Sequence, residues 1–270
     1  MRTAEFDVPP NVEVTIDSGA GGIRLRGESG RETVTITATL HSFASTAELA
    51  AEQVEELEID WRLEDRGVFV GFAPPQAPAI GRGAYADLEL LVPSDSSLTL
   101  ATDDGPMEIT FVHGAIAASG RDDPIIVRET SSVLLLNGID CDIVVEQASG
   151  DAIFATTTEG DLRFVNVRGL IDAETQEGDL RYAGRPSGRS NRLISHEGDL
   201  QVALPPDASL LIDASARRGL ITADLPLVGD LTGNEWTATL NAPRPQSAST
   251  LRLVATEGII TIEPWDESTP

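Results

Sequence analysis

Two short apolar pairs set seven positions apart recur along almost the whole chain. The pattern is complete at Leu98, Leu100, Met107 and Ile109, returns at Ile116, Ala118, Ile125 and Val127, and again at Leu134, Leu136, Ile143 and Val145. Further copies begin at Ile153, Ile171, Asn191, Ile212 and Leu251, and another near the start begins at Val14. A single copy of such a short template cannot bury its apolar face, but stacked neighbours can, so the period points to a solenoid. Within each copy apolar and polar residues alternate, which is the period of a half-buried strand. The step from Met107 to Ile125 to Ile143 is eighteen residues each time. Eighteen extended residues trace about 60 Å, enough for one turn of a flattened coil and too little for a propeller blade. The expected fold is all-β, a right-handed single-stranded parallel β-helix of about nine short rungs.

Between the two strands of a rung lies a short polar link, as in Thr157 to Asp161, Thr175 to Asp179 and Ser195 to Asp199. Most links carry a glycine at one place, including Gly105, Gly160, Gly178, Gly198, Gly219 and Gly258. A backbone conformation costly to residues with a Cβ is expected there. Asp123 and Cys141 stand at that place in two rungs.

The repeat is read as one domain over residues 1–270: a first rung and strand at 1–39, an insertion at 40–97, regular rungs at 98–224, a second insertion or cap at 225–250, a last rung at 251–264 and a tail. In the first insertion Ser45 is the expected N-cap of a short helix carrying Leu49, Val54 and Leu57 at helical spacing. Strands Leu57 to Leu63 and Val68 to Phe72 follow, joined by a turn at Asp65-Arg66-Gly67 and leading into a Pro- and Gly-rich loop from Ala73 to Gly83. The second insertion holds an alternating run from Glu235 to Leu240 and ends in Ala242-Pro-Arg-Pro-Gln. Both are read either as covers over exposed strand edges or as binding loops. They carry Trp61 and Trp236, the candidate partner-binding residues, because tryptophan often anchors interfaces.

The units Glu159-Gly-Asp-Leu-Arg-Phe, Glu177-Gly-Asp-Leu-Arg-Tyr and Glu197-Gly-Asp-Leu-Gln-Val resemble those of the bacterial putative-adhesin family of β-solenoid domains of unknown function. Asp87-Leu-Glu-Leu-Leu-Val-Pro and the closing Leu251-Arg-Leu-Val-Ala-Thr-Glu-Gly-Ile-Ile-Thr-Ile are similar to family elements too. The resemblance covers nearly the whole chain. It implies a non-enzymatic structural or protein-interaction module, in some members attached to envelope-stress or membrane proteins, with no catalytic residues to carry over. A bactofilin-like polymerising scaffold, stacking end to end through open rungs, and a carbohydrate-active β-helix enzyme are the alternatives.

Forty-four acidic residues against nineteen basic ones leave a net charge of −25, and all the basic residues are Arg. Nucleic acid and anionic membranes need basic patches, so neither is an expected partner. An unidentified protein partner is expected instead, with the chain itself a monomer or self-associating end to end. No charged segment followed by an apolar run opens the sequence, which leads to the expectation of a cytoplasmic protein.

Some of the charge falls at one repeat position, as Asp104, Asp122, Asp140, Glu159, Glu177 and Glu197. Stacked at about 4.8 Å, these carboxylates repel by about 1 kcal/mol in water, so a solvated acidic edge is tolerable. The competing reading is a cation ladder for Ca²⁺ to which Asp161, Asp179 and Asp199 would have to contribute, or an edge neutralised by Arg163 and Arg181. No cofactor is expected. His41, His113 and His196 lack zinc-site spacing, no lysine exists to build a P-loop, and Cys141 sits between Asp140 and Asp142, which disfavours its thiolate.

Overall fold

The computed structural model describes residues 1–65, 67–74, 83–241 and 249–266. The expected turn at Arg66, most of the Pro-rich loop after Pro74, the Pro-Arg-Pro run after Asn241 and the end of the tail lie outside the described residues. The chain divides into two compact units, Met1–Ile126 and Val127–Pro270. The described residues form strands and one short helix. That helix is too short and too polar to cross a membrane.

Unit 1 contains β1 (Arg2–Asp7), β2 (Glu13–Ser18), β3 (Ile23–Glu28), β4 (Thr33–Phe43), α1 (Ala47–Glu56), β5 (Asp60–Leu63), β6 (Gly67–Phe72), β7 (Gly83–Pro93), β8 (Ser97–Thr102), β9 (Met107–Thr110) and β10 (Ile116–Arg121), with β11 (Ile125–Arg128) crossing the division. Its rungs are not stacked in chain order. β2 lies between β6 and β8, parallel to both, and β3 lies likewise between β7 and β9. Beyond β7 the pairing turns antiparallel, through β4 to β1, and β5 closes antiparallel on β6. The alternation seen in the sequence is the alternation of burial: Leu25, Val34, Ile36, Leu100 and Ile109 are at most 1% exposed. Each such side chain contributes about 1.5–3 kcal/mol by leaving water.

Unit 2 contains β12 (Leu134–Ile139), β13 (Ile143–Glu146), β14 (Ser149–Glu159), β15 (Leu162–Glu177), β16 (Leu180–Pro186), β17 (Asn191–Glu197), β18 (Leu200–Leu204), β19 (Leu210–Ala216), β20 (Ile221–Ala223), β21 (Val228–Asp230), β22 (Glu235–Leu240), β23 (Ser249–Glu257) and β24 (Ile260–Pro264). Leu162, Leu180, Leu200 and Ile260 stand in register as one fully buried column, as the repeat predicts. Here too chain order is broken. β23 inserts between β17 and β19, and β24 between β18 and β20.

One expectation is therefore corrected. The rung at 251–264, last in the chain, lies inside its stack, and the pairing is not parallel throughout, because β22 and β21 continue from β19 in antiparallel fashion. The physical reason is that a parallel rung leaves unpaired N–H and C=O groups on both edges. Placing the returning rung inside the stack satisfies both of its edges. A short antiparallel hairpin then occupies the edge of β19, and its last strand, β21, is only three residues long.

The helix exists but is capped one residue later than expected. Thr46, not Ser45, is the N-cap, accepting from Leu49 N at 3.3 Å. Its Leu49 and Val54 are half-buried, and only Leu57, just past its end, is buried. Asn191, polar in an apolar column, is buried with both ends satisfied: Oδ1 accepts from Ile171 N and Nδ2 donates to the Thr250 carbonyl. A second corner in four of the rungs was not read from the sequence. Phe111 in unit 1, and Glu129, Gln147 and Asn166 in unit 2, take φ of 51–58° there.

Candidate functional site

The links decide how the repeat's polar residues are used. In unit 2 the Asp161 N–H donates to Asp142 Oδ1 at 2.8 Å, Asp179 N–H to Asp161 Oδ1 at 2.8 Å, and Asp199 N–H to Asp179 Oδ1 at 2.9 Å. Ile259 N–H closes the series on Asp199 Oδ1 at 2.8 Å, in the order set by the inserted rung. A hydroxyl column runs beside it, with Thr157 donating to the Cys141 carbonyl, Thr175 to that of Gly160 and Ser195 to that of Gly178, each within 3.0 Å. The glycines are obligatory because they touch. At Gly178 φ is +142° and a Cβ would lie 2.2 Å from the Gly160 carbonyl oxygen.

The Glu-Gly-Asp unit is thus a rung-to-rung fastener: its Asp accepts from a neighbouring backbone, and its Gly allows the contact. Asp161, Asp179 and Asp199, counted above as possible Ca²⁺ ligands, each already accept a backbone hydrogen bond. Glu159, Glu177 and Glu197 do stand in register, exposed, with Glu257 beyond Glu197 and Arg218 paired to Glu257. Asp140 is tied instead to Thr158, and with Asp122 in unit 1 it carries the positive φ that a neighbouring glycine carries elsewhere. Arg181 leans on Asp179 at 3.5 Å. No three His, Cys, Asp or Glu among the described residues converge as a metal site would need.

The two candidate tryptophans are each half-buried on their strands. Trp61 faces Val70 across β5 and β6, and Trp236 donates its indole N–H to the Gly233 carbonyl at 3.2 Å. Among the histidines, His113 Nδ1 lies 3.8 Å from Asp95, and His196 Nε2 is 3.0 Å from Glu174, which Arg192 also holds.

Unit 1 carries a groove of about 1770 Å³. It is lined by Asp17, Asp103, Asp104 and Asp123 from the links and by Glu56, Glu58, Asp60 and Asp87 from the first insertion. Apolar surface comes from Phe43, Phe69 and Tyr85. Eight carboxylates and no cationic side chain line the groove among the described residues. Asp87 has the fastener role here, its Oδ1 accepting from Gly22 N at 2.9 Å. His41 stacks on Tyr85 with ring centroids 4.5 Å apart, its Nε2 3.1 Å from Asp87 Oδ2 but off the hydrogen-bonding direction. At the rim the Arg62 guanidinium is bonded to Glu64 and Asp60 and lies 4.3 Å over the Phe69 ring. These bonds, Glu64 first and then Asp60, raise its pKa further above the ordinary arginine value. Sequence reasoning pointed to the insertion as a place for a partner but missed the groove. Of the acidic repeat position only Asp104 lines it, with the neighbouring link residues Gly105 and Asp123, while Trp61 lies next to Asp60 outside the lining.

A family model described as Toastrack DUF4097 matches residues 12–263. Among solved structures, a putative adhesin of Bacteroides fragilis is similar at 10% identity over 97% of this chain and 96% of that one, with a TM-score of 0.47. A putative adhesin of Parabacteroides merdae is similar at 10% identity over 97% and 95% of the two chains, with a TM-score of 0.39. A putative cell adhesion protein of Clostridium sporogenes covers 97% and 99% at 10% identity, with a TM-score of 0.28. No curated protein matches the chain.

Proposed function

Because the chain belongs to the Toastrack DUF4097 family, we propose that it is a non-enzymatic, adhesin-like interaction module, a right-handed parallel β-helix scaffold whose partner-binding face is the groove of unit 1. The observation that carries this reading is a division of labour among the polar residues. In unit 2 the Asp and hydroxyl side chains of the links are used to fasten one rung to the next. In unit 1 the link aspartates Asp17, Asp103, Asp104 and Asp123 line an open concavity together with Glu56, Glu58 and Asp60 of the first insertion, alongside exposed aromatic surface. Concave surfaces that combine apolar walls with a few convergent polar groups are where ligands bind. The antiparallel hairpin on the β19 edge supports a module over an end-to-end polymer, which needs a bare parallel rung.

Photo-crosslinking tests the location. A benzophenone amino acid at Tyr85, in the groove, should give a discrete adduct in cells of the source organism that excess unlabelled protein competes away. The same group at Phe154, on the outer face of unit 2, should not. Equal adducts from both positions would remove the groove from consideration.

A further inference from the structure

We propose that the outer edge of β1 in unit 1 is a docking site for an extended segment of a protein partner, which adds to the sheet as a further strand and carries cationic residues at alternate positions. The site is separate from the groove, none of whose described lining residues lies on β1. In unit 2 the β19 edge ends in β21, a strand of three residues. In unit 1 the sheet ends beyond β4 in β1, which is six residues long and pairs with no other described strand. The Val8 N–H, just past the end of β1, donates to the Glu32 carbonyl on the β4 side. Bonding directions alternate along an antiparallel strand, so Phe6, Ala4 and Arg2 also bond toward β4. The N–H and C=O groups of Thr3, Glu5 and Asp7 therefore point away from it. Burial marks the same edge independently of the pairing. Val34, Ile36 and Ala38 are 0% exposed, whereas Phe6, Ala4 and Arg2, their register partners on the same face, are only half-buried. A strand laid against β1 covers that face with every second side chain and satisfies the outward backbone groups. Main-chain hydrogen bonds then supply affinity, and alternate side chains supply specificity.

The side chains of β1 select the occupant. Glu5 and Asp7 stand two residues apart on the exposed face, so the residues opposite them on an added strand are also two apart. Opposite charges across such a pair stabilise it and like charges oppose it. A segment alternating cationic and apolar residues thus meets Glu5 and Asp7 on one face and Ala4 and Phe6 on the other. A concavity of about 560 Å³ at the end of β1 is lined by Asp7, Val8, Pro9, Pro10, Glu32 and Thr33. It gives the added segment room to run past Asp7, beside the exposed Glu32. A second copy of this chain is the poorer fit. Setting β1 antiparallel to itself, in the register that uses all three outward residues, places Glu5 directly opposite Glu5, between two chains each of net charge −25.

Hydrogen exchange of the full chain, read residue by residue by NMR, tests the edge itself. The amides of Thr3, Glu5 and Asp7 should exchange at least about tenfold faster than those of Ala4 and Phe6. The binding probe is a fluorescent octapeptide alternating arginine and valine. Comparison probes are an octapeptide alternating glutamate and valine, and the arginine–valine peptide N-methylated throughout, which keeps the charge but cannot pair as a strand. Only the unmethylated arginine–valine peptide should bind, and at saturation it should slow exchange at Thr3, Glu5 and Asp7 by about tenfold or more. Thr3→Pro removes one outward N–H while leaving the charge and the bonds to β4 in place, and should weaken binding by about tenfold or more. Glu5→Gln keeps the backbone edge and should weaken binding by about threefold, with a shallower salt dependence. Circular dichroism melts establish that each variant is folded, and the N-methylated peptide carries the same test on the parent chain if Thr3→Pro is not. Slow exchange of Glu5 and Asp7 in the free chain would show the edge already paired and overturn the proposal. Equal binding of the methylated and unmethylated peptides, or parent-like binding by a folded Thr3→Pro, would reduce the effect to charge attraction and overturn it too. Dimerisation of the free chain that Thr3→Pro abolishes would assign the edge to a second copy and overturn the stated occupant.

Discussion

The carboxylate of Asp179 accepts the backbone N–H of Asp199 at 2.9 Å, while the N–H of Asp179 itself donates to Asp161. One residue therefore links three rungs, and the repeated Gly-Asp pair owes its place to that geometry.

Removing the acceptor measures the fastener. Asp179→Ala should destabilise the chain by about 1.5–3 kcal/mol, the range for a hydrogen bond to a charged group, and Asp179→Asn by less, because the amide oxygen can still accept. Urea unfolding monitored by circular dichroism reads the difference. A parent-like midpoint for the alanine variant would make the ladder incidental.

The glycine column is tested by contrast. Gly178→Ala meets the Gly160 carbonyl at 2.2 Å with φ at +142°, so backbone must move in a packed stack. Gly30 also has positive φ, +74°, but nothing lies within 4 Å of a Cβ placed there. Gly30→Ala should cost about 1 kcal/mol, and Gly178→Ala several times more or a failure to fold. Thermal melts of the two variants side by side decide it.

Tyr182 lies in the core, its hydroxyl 3.4 Å from the Val167 carbonyl, and burial raises its pKa far above the ordinary phenol range. A raised folded-state pKa means that its contribution is complete below the unfolded value of about 10 and is lost as the pH rises beyond it. Of the two tyrosines in the chain, Tyr182 should give no phenolate absorbance until the protein unfolds in alkali. Absorbance at 295 nm and circular dichroism, followed together, should change at the same pH for this residue. Reversible ionisation in the folded state would contradict the packing.

The exposed column of Glu159, Glu177 and Glu197 should behave as a screened edge. Salt should raise the melting temperature modestly, and Ca²⁺ should add no more than Mg²⁺ at equal ionic strength. A saturable rise specific to Ca²⁺ would instead report a ligand that binds the folded state.

Much of this was legible because period and burial are local properties. The spacing of Leu162, Leu180 and Leu200 announced a shared interior column, and Gly160, Gly178 and Gly198 announced a strained link. The sequence offers the aspartates at 161, 179 and 199 only as possible contributors to a cation ladder, because an acceptor's donor lies a whole rung away and only register reveals it. Helix α1 was found but misplaced by one residue at its cap, since Ser45 and Thr46 offer the same hydroxyl chemistry and the backbone chooses between them.

The amino-acid sequence by itself determined the rung: two strands, a link needing glycine, an apolar inward face and an acidic outward one. It did not determine which rung lies beside which. Every copy presents the same alternation, so β23 could pair with β19 alone or, as it does, sit between β17 and β19, and nothing in the local pattern separates the two. Pairing both edges of a returning rung is a property of the assembled stack, decided by the hydrogen bonds left unmade in the alternative. The groove belongs to the same level, because Asp17, Asp60, Asp87 and Asp123 are far apart along the chain and become one surface only when the rungs of unit 1 close around them.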